Sequence, residues 1–171
     1  MLWSNSIMLS MHIANSLDKI MNYYKLSELC SIEYGKDHKH LKDGNTPLFG
    51  TGGIMRYVDS SLYCGPSVLI PRKGTLSGIY FSEKPFWTID TLFYTRVNES
   101  LILAKYLYYY LKSINLESID EGTTVPSLTK ATLNELLIPV PSLKEQHKVV
   151  NLLSLIDDKI ALNMAINDNL Q

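Results

Sequence analysis

The sequence predicts an α+β fold, in which a single strand-rich domain with packed helices is followed by a long coiled-coil helix. Between about Lys25 and Val140, short apolar runs alternate with Gly, Pro and Thr, which is typical of strands joined by tight loops. From Leu143 to the last residue there is neither proline nor glycine, and apolar residues recur every three or four positions, as in a helix. The 171 residues are enough for one ordinary domain with an appendage.

Composition narrows the class of protein. Hydrophobic residues make up 46% and charged residues 19%, values that indicate a folded globular chain. The formal net charge of -1 excludes a global positive field, so any binding to a polyanion must use a local patch. Cys30 and Cys64 are too few for a disulfide framework, and we expect reduced thiols in a cytoplasmic protein. No apolar run is long enough to span a membrane, so we expect no membrane partner.

Residues 1–24 are predicted to form an N-terminal amphipathic helix that seeks a partner. Lys19 is the first Lys or Arg, and polar residues interrupt the apolar runs, which argues against a signal peptide. One predicted face carries apolar side chains at alternating spacings of four and three. These side chains are Ile13, Leu17, Ile20 and Tyr24.

Residues 25–142 are predicted to form the strand-rich domain. The best strand candidates are 67–71, 78–81 and 91–97, and Gly74 supplies the positive φ of the turn between the first two. Helical spacing predicts one helix over 101–113, with Leu103, Tyr106, Leu107, Tyr110 and Leu111 on one face, and a second helix from about Ser127. The Pro139–Pro141 segment is expected to stop that helix and form an extended link.

Residues 143–171 are predicted to form a spacer or dimerisation helix. At about 1.5 Å per residue it would span roughly 40 Å, more than a small domain needs for its own core. Its heptad seam contains two asparagines, which weaken packing but specify register and orientation. The seam residues are Val149, Leu153, Ile156, Ile160, Asn163, Asn167 and Leu170.

Catalytic chemistry has no foundation in the sequence. The four histidines are scattered without metal-ligand spacing, and a solvated basic loop explains His38 and His40 better than a metal site. Gly50–Gly53 lacks the Lys-Ser/Thr ending of a phosphate-binding loop and is expected to be a tight turn at a strand end. Asp90, Asp120 and Glu121 have no paired carboxylate at catalytic spacing.

Local charge is more informative. The segment from Lys36 to Lys84 contains seven Lys or Arg and four Asp or Glu, which gives it a local charge excess of +3. Aromatic and hydroxyl side chains are interleaved with these charged residues. Such a mixture suits phosphate and base-edge contacts with duplex DNA. Ordinary solvated loops on a strand-rich domain remain the alternative at this point.

The sequence carries several motifs in an order that resembles one half of the specificity subunit of a type I restriction-modification system. Its distinctive pieces are Arg-Lys-Gly at 72–74, Trp-x-x-Asp-Thr at 87–91, the Gly-Thr-Thr-x-x-x-Leu loop at 122–128 and Ile-Pro-x-Pro-x-x-x-Glu-Gln at 138–146. They follow the family's order, and the resemblance covers nearly everything from Lys25 onward. The stretches that carry it are 25–36, 46–59, 65–81, 85–94, 105–113 and 121–146, with the helix that follows.

The resemblance implies a function. The domain would be a target-recognition domain that reads a short half-site of double-stranded DNA, and the helix would be the spacer that sets the distance between two half-sites. The subunit itself would be no enzyme and would hold no cofactor or metal. Modification subunits would methylate adenine from S-adenosylmethionine, and restriction subunits, where present, would cleave with ATP.

One departure from the family shapes the hypothesis. A full family member has two recognition domains and two spacer helices in one chain, whereas this sequence has one of each. The unpaired seam suggests that two copies associate antiparallel into a homodimer that reads a palindromic, bipartite target. The alternatives are a truncated or silent recognition cassette and a coiled-coil interaction protein with little DNA binding of its own.

Candidate DNA contacts follow from residue type and loop position. For phosphate or guanine the candidates are Lys36, Lys39, Arg56, Arg72 and Lys73. For base edges or phosphates they are Tyr57, Thr75, Ser77 and Thr123. A fold-supporting role is expected for Gly74, Trp87, Asp90, Pro139 and Pro141, and Glu145 and Gln146 are expected to cap the long helix or to meet the modification subunit.

Overall fold

The computed structural model describes residues 21–74, 76–119 and 127–169. Its strands and helices are, in chain order, β1 Asn22–Lys25, α1 Leu26–Leu29, β2 Cys30–Tyr34, β3 Asp43–Gly50, β4 Gly53–Val58, β5 Ser67–Pro71, β6 Tyr80–Ser82, β7 Trp87–Thr88, β8 Leu92–Val97, α2 Ala104–Ser113, a 3-10 turn Leu116–Ile119, α3 Lys130–Asn134, β9 Leu137–Val140 and α4 Leu143–Asn169. This mixture of strands and helices confirms the predicted α+β class.

The centre of the domain is a four-stranded antiparallel sheet in the order β2-β8-β5-β6. Strand β5 is buried along its whole length, because both of its faces are covered. Val68 and Ile70 face a core cluster shared with α2, while Leu69 faces a second cluster that contains Phe49 and Phe86. This two-sided burial explains why Ser67–Pro71 reads as a continuous apolar run.

The face of the central sheet that carries Leu69 is covered by a three-stranded sheet in the order β4-β3-β7. Strands β3 and β4 form a hairpin in which Gly50 pairs with Gly53, and Gly53 has a φ of 107°. The predicted tight turn at Gly50–Gly53 is therefore confirmed. Gly74 likewise has a positive φ of 85°, as its place after β5 predicted.

Strand β1 pairs antiparallel with β9, so that Tyr24 lies opposite Ile138. The prediction that the N-terminal helix extends through Tyr24 is therefore wrong, because residues 22–25 complete a two-stranded ribbon. The rest of that predicted helical face, Ile13, Leu17 and Ile20, lies outside the described residues. The Pro139–Pro141 link is extended as predicted, and its first part is strand β9.

Several predicted elements begin later in the structure. The helix predicted over 101–113 begins at Ala104, with Leu103 as its N-cap, and the strand predicted over 91–97 begins at Leu92. The helix expected from Ser127 begins at Lys130, because Thr129 is the N-cap and its hydroxyl accepts a hydrogen bond from Thr132 N at 3.1 Å. Ser127 instead forms an isolated β-bridge with Lys73. The strand expected at 78–81 is β6, which starts at Tyr80.

Candidate nucleic-acid interface

Two basic loops rest on one short piece of backbone. The first basic loop, residues 35–42, follows β2, and the second basic loop, residues 72–79, follows β5. At the end of β7, Thr88 O accepts a hydrogen bond from Lys36 N at 2.9 Å, and just before β8, Thr91 O accepts one from Arg72 N at 2.9 Å. The segment Trp87–Leu92, called here the support segment, therefore places both loops side by side.

Side chains strengthen this arrangement. Trp87 Nε1 donates to Lys36 O at 3.2 Å, and Arg72 Nη1 donates to Asp90 O at 3.3 Å. Gly35 passes so close to Ile89 O that a Cβ at this position would collide with it. The Trp-x-x-Asp-Thr motif thus works mainly as a scaffold for the loops, and only the backbone oxygen of Asp90 is used in these contacts.

At the second basic loop, two cations lie over one aromatic ring. The Tyr34 ring has the Arg72 guanidinium carbon 5.2 Å from its centroid and Lys130 Nζ 4.8 Å from it. Phe93 supports the same ring from the core at 5.1 Å between ring centroids. Lys130 also lies 3.7 Å from Glu33 Oε2. The half-exposed Tyr34 ring thereby holds two positive charges close together at the surface.

Of the predicted DNA-contacting residues that the structure describes, five lie on the two basic loops. Lys36 and Lys39 are exposed on the first basic loop, and Lys73 and Ser77 are exposed on the second. Tyr57 is half-exposed on β4. Thr75 and Thr123 lie outside the described residues.

Arg56 does not have a free guanidinium. Nη2 donates to His38 O and Leu41 O, both at 3.1 Å, and Nη1 donates to Asp43 Oδ1 at 3.1 Å. Although Arg56 is a predicted DNA contact, its guanidinium therefore points into the first basic loop.

The sequence analysis missed Tyr34 and Lys130. Both lie inside stretches that carry the family resemblance, Tyr34 in 25–36 and Lys130 in 121–146. No local pattern distinguishes them, because they are 96 positions apart in the chain and only the fold brings them together. A groove of about 430 Å³ extends from Lys130 past Glu33 and Arg96, next to this cluster.

The root of α4 is built into the domain. Gln146 is fully buried, while Ser142 Oγ accepts a hydrogen bond from Glu145 N at 3.3 Å and so caps the helix. Further along α4, Asp157 Oδ2 accepts a hydrogen bond of 2.7 Å from Tyr109 Oη, which lies on α2. Burial and the adjacent Asp157 carboxylate raise the pKa of Tyr109 to about 12. The expectation that Gln146 caps the helix or meets the modification subunit is wrong, because its buried side chain instead binds backbone groups of the domain.

Beyond this root, α4 extends from the domain with its predicted seam uncovered. Leu153 is half-buried against the domain, but Ile156 is 47% and Ile160 is 53% exposed. Val149, Asn163 and Asn167 are exposed as well, and Leu170 lies outside the described residues.

Within the described ranges, no group of three or more His, Cys, Asp or Glu side chains is arranged to hold a metal ion. Across residues 21–74, 76–119 and 127–169, no helix has both the length and the apolar character that a membrane crossing needs.

Comparisons with known proteins agree with the motif order. A family model described as the type I restriction modification DNA specificity domain matches residues 19–171. The Haemophilus influenzae protein S.HindORF215P, named as a type I restriction enzyme specificity subunit, is 32% identical over 114 residues, which are 64% of this chain and 29% of that protein. The MjaIX specificity subunit of Methanocaldococcus jannaschii is 30% identical over 61% of this chain and 25% of its own length.

Solved structures share the fold. The S subunit of a type I restriction-modification system from M. genitalium matches with a TM-score of 0.71 at 21% identity, over 82% of this chain and 40% of that one. A chain from a study of complex assembly and conformational transition in the type I R-M system matches with a TM-score of 0.68 at 24% identity, over 84% and 40%. The chain thus spans between a quarter and two fifths of these proteins. With a family model that matches residues 19–171, the chain belongs to the type I restriction-modification DNA specificity domain family.

Proposed function

We propose that this chain reads one half-site of double-stranded DNA and directs adenine methylation by partner modification subunits, and cleavage where restriction subunits are present. The observation that carries this proposal is the support segment Trp87–Leu92, which holds Lys36 and Arg72 on adjacent loops. Arg72 lies beside Lys130 over the Tyr34 ring, and Lys36 is exposed on the neighbouring loop, so that these positive charges can neutralise phosphates and position the loops at base edges.

The chain would act without catalysis of its own. Specificity subunits of type I systems are non-catalytic, and the family match supports the same role here. S-adenosylmethionine and ATP would be bound by the partner subunits, and the assembly would work in the cytoplasm, where its DNA is. The solved type I R-M complex supports a role that depends on other subunits.

Two copies would supply a bipartite reader. In an antiparallel pair of α4 helices centred at residue 158, Ile156 of one copy faces Ile160 of the second copy. Apolar side chains at such alternating positions form the seam of a coiled coil. The exposure of Ile156 and Ile160 supports this pairing.

The experiment is selection of duplexes from a random library by the purified chain, followed by affinity measurements at several salt concentrations. We expect one preferred sequence, and an affinity whose logarithm falls linearly with the logarithm of salt concentration. Arg72→Ala and Lys130→Ala should each reduce the magnitude of that slope by about 1. Lys159→Ala, which removes the same charge from the exposed part of α4, is the control and should leave the slope unchanged.

The outcome also separates the alternatives. Failure to enrich any duplex, or an affinity that does not respond to salt, would contradict the DNA-reading function. Self-association without DNA binding would favour a coiled-coil interaction protein or a silent cassette, which the exposed seam of α4 also fits.

A further inference from the structure

The first basic loop is attached at both of its ends. At its start, Lys36 N donates to Thr88 O at 2.9 Å and Lys36 O accepts from Trp87 Nε1 at 3.2 Å. At its end, Lys42 O accepts from Asp59 N at 3.0 Å, and Lys42 N donates to Asp59 Oδ1 at 3.3 Å. These bonds hold the ends of the loop on the three-stranded sheet.

The middle of the loop is held by a side chain from β4. Arg56 Nη2 donates to His38 O and to Leu41 O, both at 3.1 Å, and Leu41 N donates to His38 O at 3.1 Å to close a turn. One guanidinium nitrogen therefore binds both carbonyls that flank Lys39 and His40. The planar fork lets Nη2 donate to both carbonyls while Nη1 donates to a third group, a geometry that the compact ammonium of a lysine does not reproduce.

The ion pair of Arg56 with Asp43, its third acceptor, contributes less than the bonds to the two loop carbonyls. The Asp43 side chain is 96% exposed, whereas that of Arg56 is 33% exposed. An ion pair with so exposed a carboxylate is weak in water. The bonds from Arg56 to the two loop carbonyls are thus the contacts that distinguish it from an ordinary surface arginine.

We infer that Arg56 is a positioning residue for the first basic loop: it holds the turn that presents Lys39, and it does not bind phosphate itself. This inference rests on the proposed DNA-reading function and deepens it, because it makes preorganisation of the loop a determinant of affinity. A loop that is already ordered loses less conformational entropy when it binds.

Charge-conserving substitution tests the inference. Arg56→Lys retains the positive charge but cannot reproduce the fork, and Arg56→Gln removes both. Hydrogen exchange of the DNA-free chain is measured for residues 36–42, with β5 at Ser67–Pro71 as an internal control for folding. We expect both variants to exchange at least about fivefold faster than wild type in the loop, with exchange in β5 unchanged.

DNA affinity completes the test. Both variants should lose about tenfold in affinity for the selected duplex, with a salt slope reduced by about 1 as Lys39 loses its position. Lys39→Ala is the matched control: it should reduce the slope by about 1 and leave loop exchange unchanged.

Two results would overturn the inference. Wild-type affinity in Arg56→Lys would mean that charge alone matters, and lost affinity with unchanged loop exchange would mean that Arg56 contacts DNA directly. Because exchange is measured without DNA, failure of the wild-type chain to bind any duplex would refute the proposed function separately. If Arg56→Gln fails to fold, as faster exchange in β5 would show, Arg56→Lys alone decides.

Discussion

Leu103 N donates a hydrogen bond of 2.8 Å to Gln146 Oε1, and this bond joins the start of α2 to the root of α4. The side-chain Nε2 of Gln146 donates in turn to Leu101 O at 3.0 Å and to Pro141 O at 2.9 Å. A single fully buried side chain therefore satisfies three backbone groups from two separate segments. The glutamine that ends the Ile-Pro-x-Pro-x-x-x-Glu-Gln motif at 138–146 therefore has a structural role: it ties α4 to the domain.

Replacing Gln146 should weaken this junction strongly. We expect Gln146→Ala to lower the free energy of unfolding by about 3 kcal/mol, because it leaves buried backbone groups without partners. Urea denaturation measures the change, and His147→Ala at the exposed neighbouring position should alter it by less than about 0.5 kcal/mol.

Gln146→Glu refines the same test. A carboxylate can accept from Leu103 N but cannot donate to Leu101 O or Pro141 O. We expect a loss of stability at neutral pH that is partly recovered in acid, where the protonated carboxyl becomes a donor. Equal stability of the Gln, Glu and Ala forms would show that these bonds do not hold the junction.

Gly35 should tolerate no side chain. A Cβ there would collide with Ile89 O in the support segment, so we expect Gly35→Ala to destabilise the domain by about 1–3 kcal/mol and to weaken DNA binding. Gly52, in the β3–β4 turn, has open space around its Cβ position and serves as the control. Thermal unfolding that shifts equally in Gly35→Ala and Gly52→Ala would argue against the proposed crowding.

The two cysteines should differ in reactivity. Cys64 is exposed, whereas Cys30 is buried, and burial raises the pKa of the Cys30 thiol to about 12. Since the thiolate is the reactive form, iodoacetamide should modify Cys64 in the native chain and Cys30 only after unfolding. Mass spectrometry of the modified peptides checks this order, and rapid modification of native Cys30 would contradict it.

The same burial predicts a pH dependence of stability. The pKa of Cys30 is higher in the folded chain than its ordinary value of 9.0, so its contribution is complete below about pH 9 and is lost as the pH rises towards 12. Because several tyrosines ionise in that range, the measurement is the difference between wild type and Cys30→Ala in urea titrations. We expect wild type to lose stability more steeply with pH, by at most about 1.4 kcal/mol per pH unit.

The seam of α4 should control the solution mass. Light scattering of the wild-type chain is expected to give about twice 19.4 kDa, and Ile156→Asp with Ile160→Asp should give a monomer. Leu155→Asp with Leu162→Asp places the same charges on another exposed face of the helix and should leave the dimer intact. A wild-type monomer at tens of micromolar would contradict the homodimer and favour the cassette interpretation.

Sequence patterns alone determined the features that depend on neighbouring residues. The continuous apolar run of β5, the positive φ of Gly74 and the uninterrupted helix from Leu143 to Asn169 all follow from side-chain periodicity or backbone preference. The ordered motifs also identified the family, because their spacing is preserved along the chain.

Only the tertiary structure decided the contacts between distant segments. Tyr24 lies in a strand because Ile138 lies opposite it, and Arg56 is occupied because the loop carbonyls of His38 and Leu41 turn towards it. Lys130 joins the candidate interface because the fold places it over Tyr34. Local propensity acts over a few residues, whereas these roles depend on hydrogen bonds and ring contacts across 15 to 114 positions, which exist only once the sheets and helices have packed.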